Sequence, residues 1–240
     1  MRLRLTIEYD GTPFRGWAAQ PSQPTVEAAL RDALAATFSS YDALAVAGRT
    51  DTGVHALGNV VSVDVEGGPP SERAAAALNT RLPDAISVVA AEEAAPGFHA
   101  RHAATARSYR YRIFTRSTPS PFELGRSWWI PRPLDLDALT AAAALLPGEH
   151  DFRAFTPTET QHEVFVRVVE SAEWIRRGDH LDFEITADSY LRHMVRTLVG
   201  TMIDGIDLGP LLAGADRADA GQTAPPSGLY LVAVAYSPRR

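Results

Sequence analysis

A single carboxylate, Asp51, stands in a segment that runs from residue 47 to 56 with the sequence AGRTDTGVHA. The alternating apolar segment 60–65 follows closely, so this loop is expected to lie at one end of a strand. A carboxylate held on a tight, glycine-flanked loop beside a sheet is suited to act as a nucleophile. Asp, Thr and Gly are also the commonest turn formers, and the triplet at 51–53 taken alone is more often a plain turn.

A second segment, residues 98–112, combines basic and aromatic side chains and contains no acidic residue. Tyr109 and Tyr111 alternate there with the basic residues His99, Arg101, His102, Arg107, Arg110 and Arg112. The sequence has no lysine, and guanidinium groups suit bidentate contact with phosphate and stacking on bases. The pattern predicts a local basic cleft for nucleic acid, and a solvated strand face is the alternative.

Composition sets the class of protein. The 240 residues carry a formal net charge of −6, which argues against nucleic-acid binding over the whole surface. No apolar run approaches the roughly 20 residues needed to cross a bilayer, and we expect no signal peptide because residues 1–9 alternate like a strand. A cytoplasmic location is expected, and it is compatible with the absence of cysteine.

No metal site is expected. Without cysteine the chain has no disulfide, no thiol catalysis and no cysteine-ligated metal. His99 and His102 are three residues apart, but no third ligand accompanies them.

The pattern of the first half predicts alternating strands and helices. Thr25 is expected to cap a helix whose apolar residues fall four apart. In the strand at 60–65, the valines at 61, 63 and 65 face a core while Ser62 and Asp64 face water. The remaining predicted elements are a strand at 3–9, a helix at 71–80 and a strand at 86–90.

The second half repeats this mixture. A strand at 108–115 puts Tyr109, Tyr111 and Ile113 on one face. A helix at 189–203, capped by Asp188, carries Arg192 and Arg196 on its outer surface. The remaining predicted elements are a helix at 134–146, an antiparallel hairpin of strands at 164–175 and 181–186, a loop at 212–226 and a strand at 229–236. We predict an α+β protein of two similar halves, 1–102 and 103–240, that share one sheet.

Five sequence blocks, in this order and spacing, resemble the tRNA pseudouridine synthase A family. The resemblance covers nearly the whole chain. The blocks are YDG at 9–11 with GW at 16–17, GRTDTGVHA at 48–56, FHARHAATARSYRYR at 98–112, DSYLRHMVRTLVG at 188–200 and GLYLVAVAY at 228–236.

This resemblance implies the pseudouridine synthase fold, with two α/β halves, a mainly antiparallel sheet and a central active-site cleft. It implies a cofactor-free isomerisation of uridine to pseudouridine in the anticodon stem-loop of tRNA, at positions 38–40. It also implies a homodimer in which one tRNA spans both subunits.

The resemblance assigns roles residue by residue. Asp51 matches the catalytic aspartate, which adds to uracil C6, attacks C1′ or draws off the C2′ proton, and the sequence does not choose among these routes. Arg196 matches an arginine that pairs with the aspartate and favours its ionised form. Tyr109 matches a tyrosine that packs on the target uracil, and Arg49 matches a residue that enters the space left by the flipped base. Further substrate contacts are expected from His55, Arg101 and Arg107, whereas Tyr111 is expected to be structural.

The chain departs from the family pattern at a few positions. Ala18 and Ala19 precede Gln20 where the family usually has Gln-Xaa-Gln. Thr52 stands where alanine is commoner, and Tyr190 where phenylalanine is commoner.

Two other classes of protein are compatible with parts of the sequence. Asp51-Thr52-Gly53 is the active triplet of aspartic proteases, but here it follows Gly48-Arg49-Thr50 where that fold requires apolar strand residues. A non-catalytic RNA-binding module would explain Tyr109 and the arginines. It does not explain an acidic residue in the path of RNA, where a carboxylate repels phosphate.

Overall fold

The computed structural model describes residues 1–160 and 162–237. Its strands are β1 (Arg2–Tyr9), β2 (Ser40–Val46), β3 (His55–Glu66), β4 (Ile86–Glu93), β5 (Ala104–Phe114), β6 (Trp128–Trp129), β7 (Gly148–Asp151), β8 (Val166–Arg177), β9 (His180–Ala187) and β10 (Leu229–Tyr236). Its α-helices are α1 (Val26–Thr37), α2 (Ser71–Asn79), α3 (Leu136–Ala143), α4 (Met194–Ile203) and α5 (Leu208–Leu212). Among the described residues, no helix is both long enough and apolar enough to span a membrane.

The chain forms two compact units. The first consists of residues 1–105 together with the chain from Tyr230 onward, and the second of residues 106–229. The structure thus groups β10 with the first unit, whereas the sequence division assigned that strand to 103–240.

Strand β3 organises the first unit. β1 pairs with it antiparallel along its length, from Arg2 opposite Asp64 to Tyr9 opposite Ala56. Its other edge is shared, because β2 pairs with the end of β3 and β10 pairs parallel with its beginning, Tyr230 opposite His55. β4 adds to the outer edge of β1. The sequence analysis missed β2, since the segment 40–46 lacks a clear alternation.

Helix α1 follows its sequence pattern. The Thr25 hydroxyl accepts a hydrogen bond from the backbone N–H of Ala28 at 3.3 Å, as a capping residue should. Val26, Leu30 and Leu34 are buried along one face. The predicted start of this helix is confirmed.

The second face of β3 is only partly exposed to water: the Asp64 side chain is 46% exposed, as expected, but the prediction for Ser62 is wrong. Ser62 is completely buried, and its hydroxyl accepts a hydrogen bond from the N–H of Ala100 at 3.1 Å. A small apolar cluster of Ala47, Val60 and Ala100 covers this face, with Phe98 and Tyr236 among the residues packed on it. Strand alternation identified the valine face correctly but could not indicate that a later segment covers the opposite one.

The second unit is built on an antiparallel sheet in the order β5-β9-β8-β7, with β6 pairing parallel to β5. The predicted hairpin is confirmed by the pairing of β8 and β9, in which Trp174 stands opposite Phe183. Tyr109, Tyr111 and Ile113 alternate along β5 and so share one face, as predicted, and all three are buried.

Helix α4 begins later than the sequence suggested. It starts at Met194, after His193 in the left-handed conformation with φ 63°. Asp188 does not cap it, because its carboxylate accepts hydrogen bonds from the N–H groups of Ser189 and of Val168 on β8. Arg192 therefore lies outside the helix. Every residue of α4 except Arg196 is buried.

Two other predicted segments differ in length or type. Helix α3 is shorter than 134–146 and begins after Asp135, whose carboxylate accepts from the N–H of Ala138. The predicted loop at 212–226 contains the end of α5 and a 3₁₀ turn at Arg217–Asp219, and a second 3₁₀ turn, Pro226–Gly228, begins at its last residue.

Gly200 provides a test of the packing around α4. A Cβ atom at this position would overlap the backbone carbonyl oxygen of Gln222. We expect Gly200→Ala to lower the free energy of unfolding by about 1–3 kcal/mol through overpacking. We expect this loss even though alanine is about 1 kcal/mol more favourable than glycine in the interior of a helix.

Gly209→Ala in α5 is the matched control. Its added Cβ would meet nothing closer than the Asp207 carboxylate at 3.4 Å, an ordinary contact. Urea unfolding of both variants measures the difference. A Gly200→Ala variant as stable as the unsubstituted protein would contradict the packing described here.

Candidate active site

Asp51 occupies a tight turn between β2 and β3. The N–H of Val54 donates to the Asp51 carbonyl oxygen at 3.1 Å, and Gly53 within the turn has φ +76°. The positive φ explains why glycine follows Thr52, since other residues strongly disfavour this conformation. The Asp51 residue is half-buried, so this turn leaves it partly open to solvent.

Two glycines of the preceding block lie directly against this turn. A Cβ atom on Gly11 would overlap the carbonyl oxygen of Val54. A Cβ on Gly16 would come within 2.9 Å of the Thr50 carbonyl oxygen and 3.2 Å of the Asp51 carbonyl carbon. The N–H of Trp17 donates to the same Thr50 oxygen at 2.9 Å. The YDG and GW blocks therefore form the support of the Asp51 turn.

Three buried polar side chains lie on the inner side of the turn. The hydroxyls of Tyr9 and Thr50 are 2.8 Å apart, and the Asn59 amide nitrogen donates to the Tyr9 hydroxyl at 3.3 Å and to the Gly48 carbonyl at 2.8 Å. Burial raises the pKa of the Tyr9 hydroxyl to about 12, although its hydrogen bonds to Thr50 and Asn59 act in the opposite direction. Tyr9 thus keeps its proton at neutral pH. Sequence reasoning missed these residues, and the only signal was a polar Asn59 beside an apolar run.

His55, a predicted substrate contact, is 1% exposed. Its ring stacks on Tyr230 with centroids 4.5 Å apart and planes 18° apart. Its Nδ1 accepts from the Gly11 N–H at 3.1 Å and lies 3.2 Å from the Asp10 carboxylate. Nδ1 can accept from the Gly11 N–H or, when protonated, donate to the Asp10 carboxylate, and either bond holds the ring against residues 10–11. This burial agrees better with a role of His55 in supporting the Asp51 turn than with direct contact with a substrate.

Arg49 and Arg101 are exposed side chains of the first unit. Arg49 stands between Gly48 and Thr50, two residues before Asp51, and extends from the same turn. Arg101 follows His99, whose Nδ1 accepts from the backbone N–H groups of Arg101 and His102. Within 1–160 and 162–237, no three His, Asp or Glu residues are grouped as a metal site would require.

Tyr109 and Arg107 share one face of β5 in the second unit. The Tyr109 ring meets the edge of Tyr190 at 4.9 Å, with the planes 75° apart. The Tyr190 hydroxyl lies 3.0 Å from the carbonyl oxygens of both Arg107 and Ile185, and burial raises its pKa well above the usual value. The Arg107 guanidinium donates to the Asp188 carbonyl at 2.7 Å. The orientation of Tyr109 is therefore set by a protonated, fixed Tyr190.

Arg196 is the partly exposed residue of α4, and its Nε donates to the Ala224 carbonyl at 2.7 Å. The adjacent Pro225 carbonyl accepts from the Tyr111 hydroxyl at 2.8 Å. Tyr111 is fully buried, which raises the pKa of its hydroxyl, and it packs so closely on Gly228 that a Cβ there would lie 2.6 Å from its ring. The segment 224–228 thus fixes Arg196. The pairing of Arg196 with Asp51 stays a prediction.

At the far end of the segment 98–112, two arginines of the predicted local basic cleft pair with acidic side chains. Arg110 and Arg112 lie on the face of β5 opposite to Tyr109, where β9 places Glu184 and Asp182 directly across from them. Arg110 forms an ion pair with Glu184 at 2.9 Å, and Arg112 lies 3.7 Å from Glu123. These contacts neutralise the two arginines. The alternation of β5 and the acidic residues of the next strand together carried the missing signal.

Comparisons with known proteins agree with the five sequence blocks. Residues 5–102 and 142–237 match the family described as tRNA pseudouridine synthase. The protein named tRNA pseudouridine synthase A from Rhodopseudomonas palustris strain HaA2 is 43% identical over 243 residues, covering 98% of this chain and 99% of that protein. Those of the same name from Mesorhizobium japonicum and Caulobacter vibrioides strain NA1000 are each 41% identical over 245 residues, covering 98% of this chain and 99% and 98% of theirs. The chain therefore belongs to the tRNA pseudouridine synthase family.

Proposed function

We propose that this protein isomerises uridine to pseudouridine in tRNA, with Asp51 as the catalytic nucleophile and without a cofactor. Membership of the family supports the reaction and the substrate. The observation that carries the assignment of Asp51 is its position, half-buried on a turn supported by Gly11, Gly16 and Trp17. Holding the reacting group in place before the substrate arrives lowers the barrier, because less ordering remains for the transition state.

The reaction breaks the C1′–N1 glycosidic bond, rotates the uracil and joins C1′ to C5. The proton on C5 is then lost to solvent and N1 gains one, so atoms and charge balance without an oxidant or a metal. Asp51 serves by adding to C6, by attacking C1′ or by removing the C2′ proton.

In this proposal Tyr109 packs on the target uracil and removes the C5 proton after the new bond has formed. The fixed edge contact with Tyr190 supports a defined ring orientation. Arg196 pairs with Asp51 and favours its ionised form. The anchoring of its Nε on Ala224 supports a fixed guanidinium.

Binding has to supply the free energy needed to extract the uridine from its stack, a few kcal/mol. Arg49 fills the vacated space and contacts phosphate, a role that its exposure on the Asp51 turn supports. Arg101 and Arg107 contribute further phosphate contacts. We further propose that the substrate site is the anticodon stem-loop at positions 38–40, that the enzyme is a cytoplasmic homodimer, and that one tRNA spans both subunits.

The substitution Asp51→Asn tests the proposed reaction. Tritium release from an unmodified tRNA transcript labelled at uracil C5 should be rapid with the unsubstituted protein and undetectable with Asp51→Asn. The affinity for tRNA should stay equal or increase slightly, because the change removes a negative charge facing a polyanion.

Asp32→Asn, on the exposed side of α1, is the control with the same change in net charge, and it should release tritium at the normal rate. If neither the unsubstituted protein nor any variant releases tritium while tRNA still binds, the protein is a non-catalytic RNA-binding module. Normal release by Asp51→Asn would remove Asp51 from the reaction.

Arg49→Ala tests the proposed role in binding and base flipping. We expect a weaker tRNA affinity and slower turnover. The slope of log affinity against log salt concentration should fall by about the amount that one phosphate contact contributes. Arg73→Ala on the exposed surface of α2 removes the same charge and should change neither quantity. Titrations at several salt concentrations decide this, and an unchanged slope for Arg49→Ala would contradict a phosphate contact.

A further inference from the structure

We propose that Tyr9, Thr50 and Asn59 form a positioning cluster that holds the Asp51 turn in its reactive geometry. This inference rests on the proposed function and extends it to three residues that do not touch the substrate. Tyr9, Thr50 and Asn59 are 4%, 8% and 0% exposed. Below, the name positioning cluster refers to these three side chains.

The directions of the hydrogen bonds follow from the groups available. The amide nitrogen of Asn59 has two protons, which go to the Gly48 carbonyl at 2.8 Å and to the Tyr9 hydroxyl at 3.3 Å. The Tyr9 oxygen accepts from Asn59, and the Tyr9 and Thr50 hydroxyls share a hydrogen bond at 2.8 Å in which either group can donate. The Asn59 carbonyl oxygen accepts from the N–H of Val60 at 2.9 Å. The amide orientation of Asn59 is therefore determined by its partners.

The cluster acts on both sides of Arg49. Asn59 holds the carbonyl of Gly48, and Tyr9 holds the side chain of Thr50, whose carbonyl is held in turn by the N–H of Trp17 at 2.9 Å. Asp51 comes next in the chain. The backbone that carries Asp51 is thus fixed at residues 48 and 50 by directional bonds.

Stability alone is a weak explanation for this arrangement. A buried hydrogen bond contributes about 1 kcal/mol net, and apolar side chains of similar shape can replace a buried polar pair at little loss. An apolar replacement would still fill the space, but it would leave the turn without directional contacts. A displacement of about 1 Å in a reacting group is enough to slow an enzyme by about 100-fold. These three polar groups therefore matter for the geometry of the Asp51 turn more than for stability.

The test measures single-turnover tritium release and tRNA affinity for Tyr9→Phe, Thr50→Val and the double variant. Each single substitution removes the Tyr9–Thr50 bond, and we expect the rate to fall about 10- to 100-fold with a much smaller change in tRNA Kd. The double variant should be about as slow as the slower single variant, because both substitutions remove the same bond. Thr50→Ser keeps the hydroxyl and should retain most of the rate.

Asn79→Ala provides the control for stability. Asn79 forms two hydrogen bonds with the backbone of Val88, at 3.0 and 2.7 Å, and joins the end of α2 to β4 in the same unit. Its loss should lower the unfolding temperature of the unit and leave the rate unchanged. If Asn79→Ala slows tritium release as much as Tyr9→Phe or Thr50→Val does at the same loss of stability, the positioning role is wrong.

The outcomes separate this inference from the proposed function. If the unsubstituted protein releases tritium and Tyr9→Phe and Thr50→Val do so at the same rate, the positioning role is wrong and the proposed function stands. If the two single effects simply add, the residues act independently and the cluster is wrong. If the unsubstituted protein releases no tritium from tRNA that it binds, both are wrong.

Discussion

The close approach of two backbone segments supports the region around Asp51. Gly11 and Gly16 lie directly against the backbone of the Asp51 turn, which is possible because neither has a side chain. This contact leaves backbone groups near one another, and the Trp17 N–H finds its acceptor on Thr50. The buried His55 and Tyr9 complete the support through side-chain hydrogen bonds. The half-buried Asp51 thus belongs to a turn that is held on its inner side.

An acidic protein that acts on a polyanion must place its positive charge locally. In the second unit, acidic side chains neutralise some of the arginines, which therefore contribute little positive charge for binding a polyanion. Arg110 and Arg177 both pair with Glu184, and Arg177 also pairs with the buried Asp182 at 3.0 Å. These arginines stabilise the hairpin sheet. Arg49 and Arg101 are exposed on turns and loops of the first unit, where a guanidinium group is accessible to phosphate.

Most elements could be predicted from periodicity, because each buries one face against a single layer. Alternation placed Tyr109 and Tyr111 on one face of β5, the Thr25 cap indicated the start of α1, and two successive strand patterns indicated the pairing of β8 with β9. The predictions fail where residues distant in the sequence determine the local structure. Ser62 is buried by Ala100, and Asp188 is used by Val168 of β8 instead of by the helix that follows it. Asp51 could be proposed from its motif, whereas the contacts of Tyr9 with Thr50 and Asn59 join residues 41 and 50 positions apart, which no local pattern indicates.

The pairing of β10 with β3 has a consequence for the order of events during synthesis. The stacking of His55 on Tyr230 joins residues separated by most of the chain, and the first unit contains both. While the ribosome is still making the second unit, the nascent first unit lacks this strand and the ring that covers His55. The second unit, residues 106–229, is complete before Tyr230 is added. The Asp51 region therefore completes its folding only after β10 has been added, so a translation product truncated before Tyr230 would lack part of the support of the Asp51 turn.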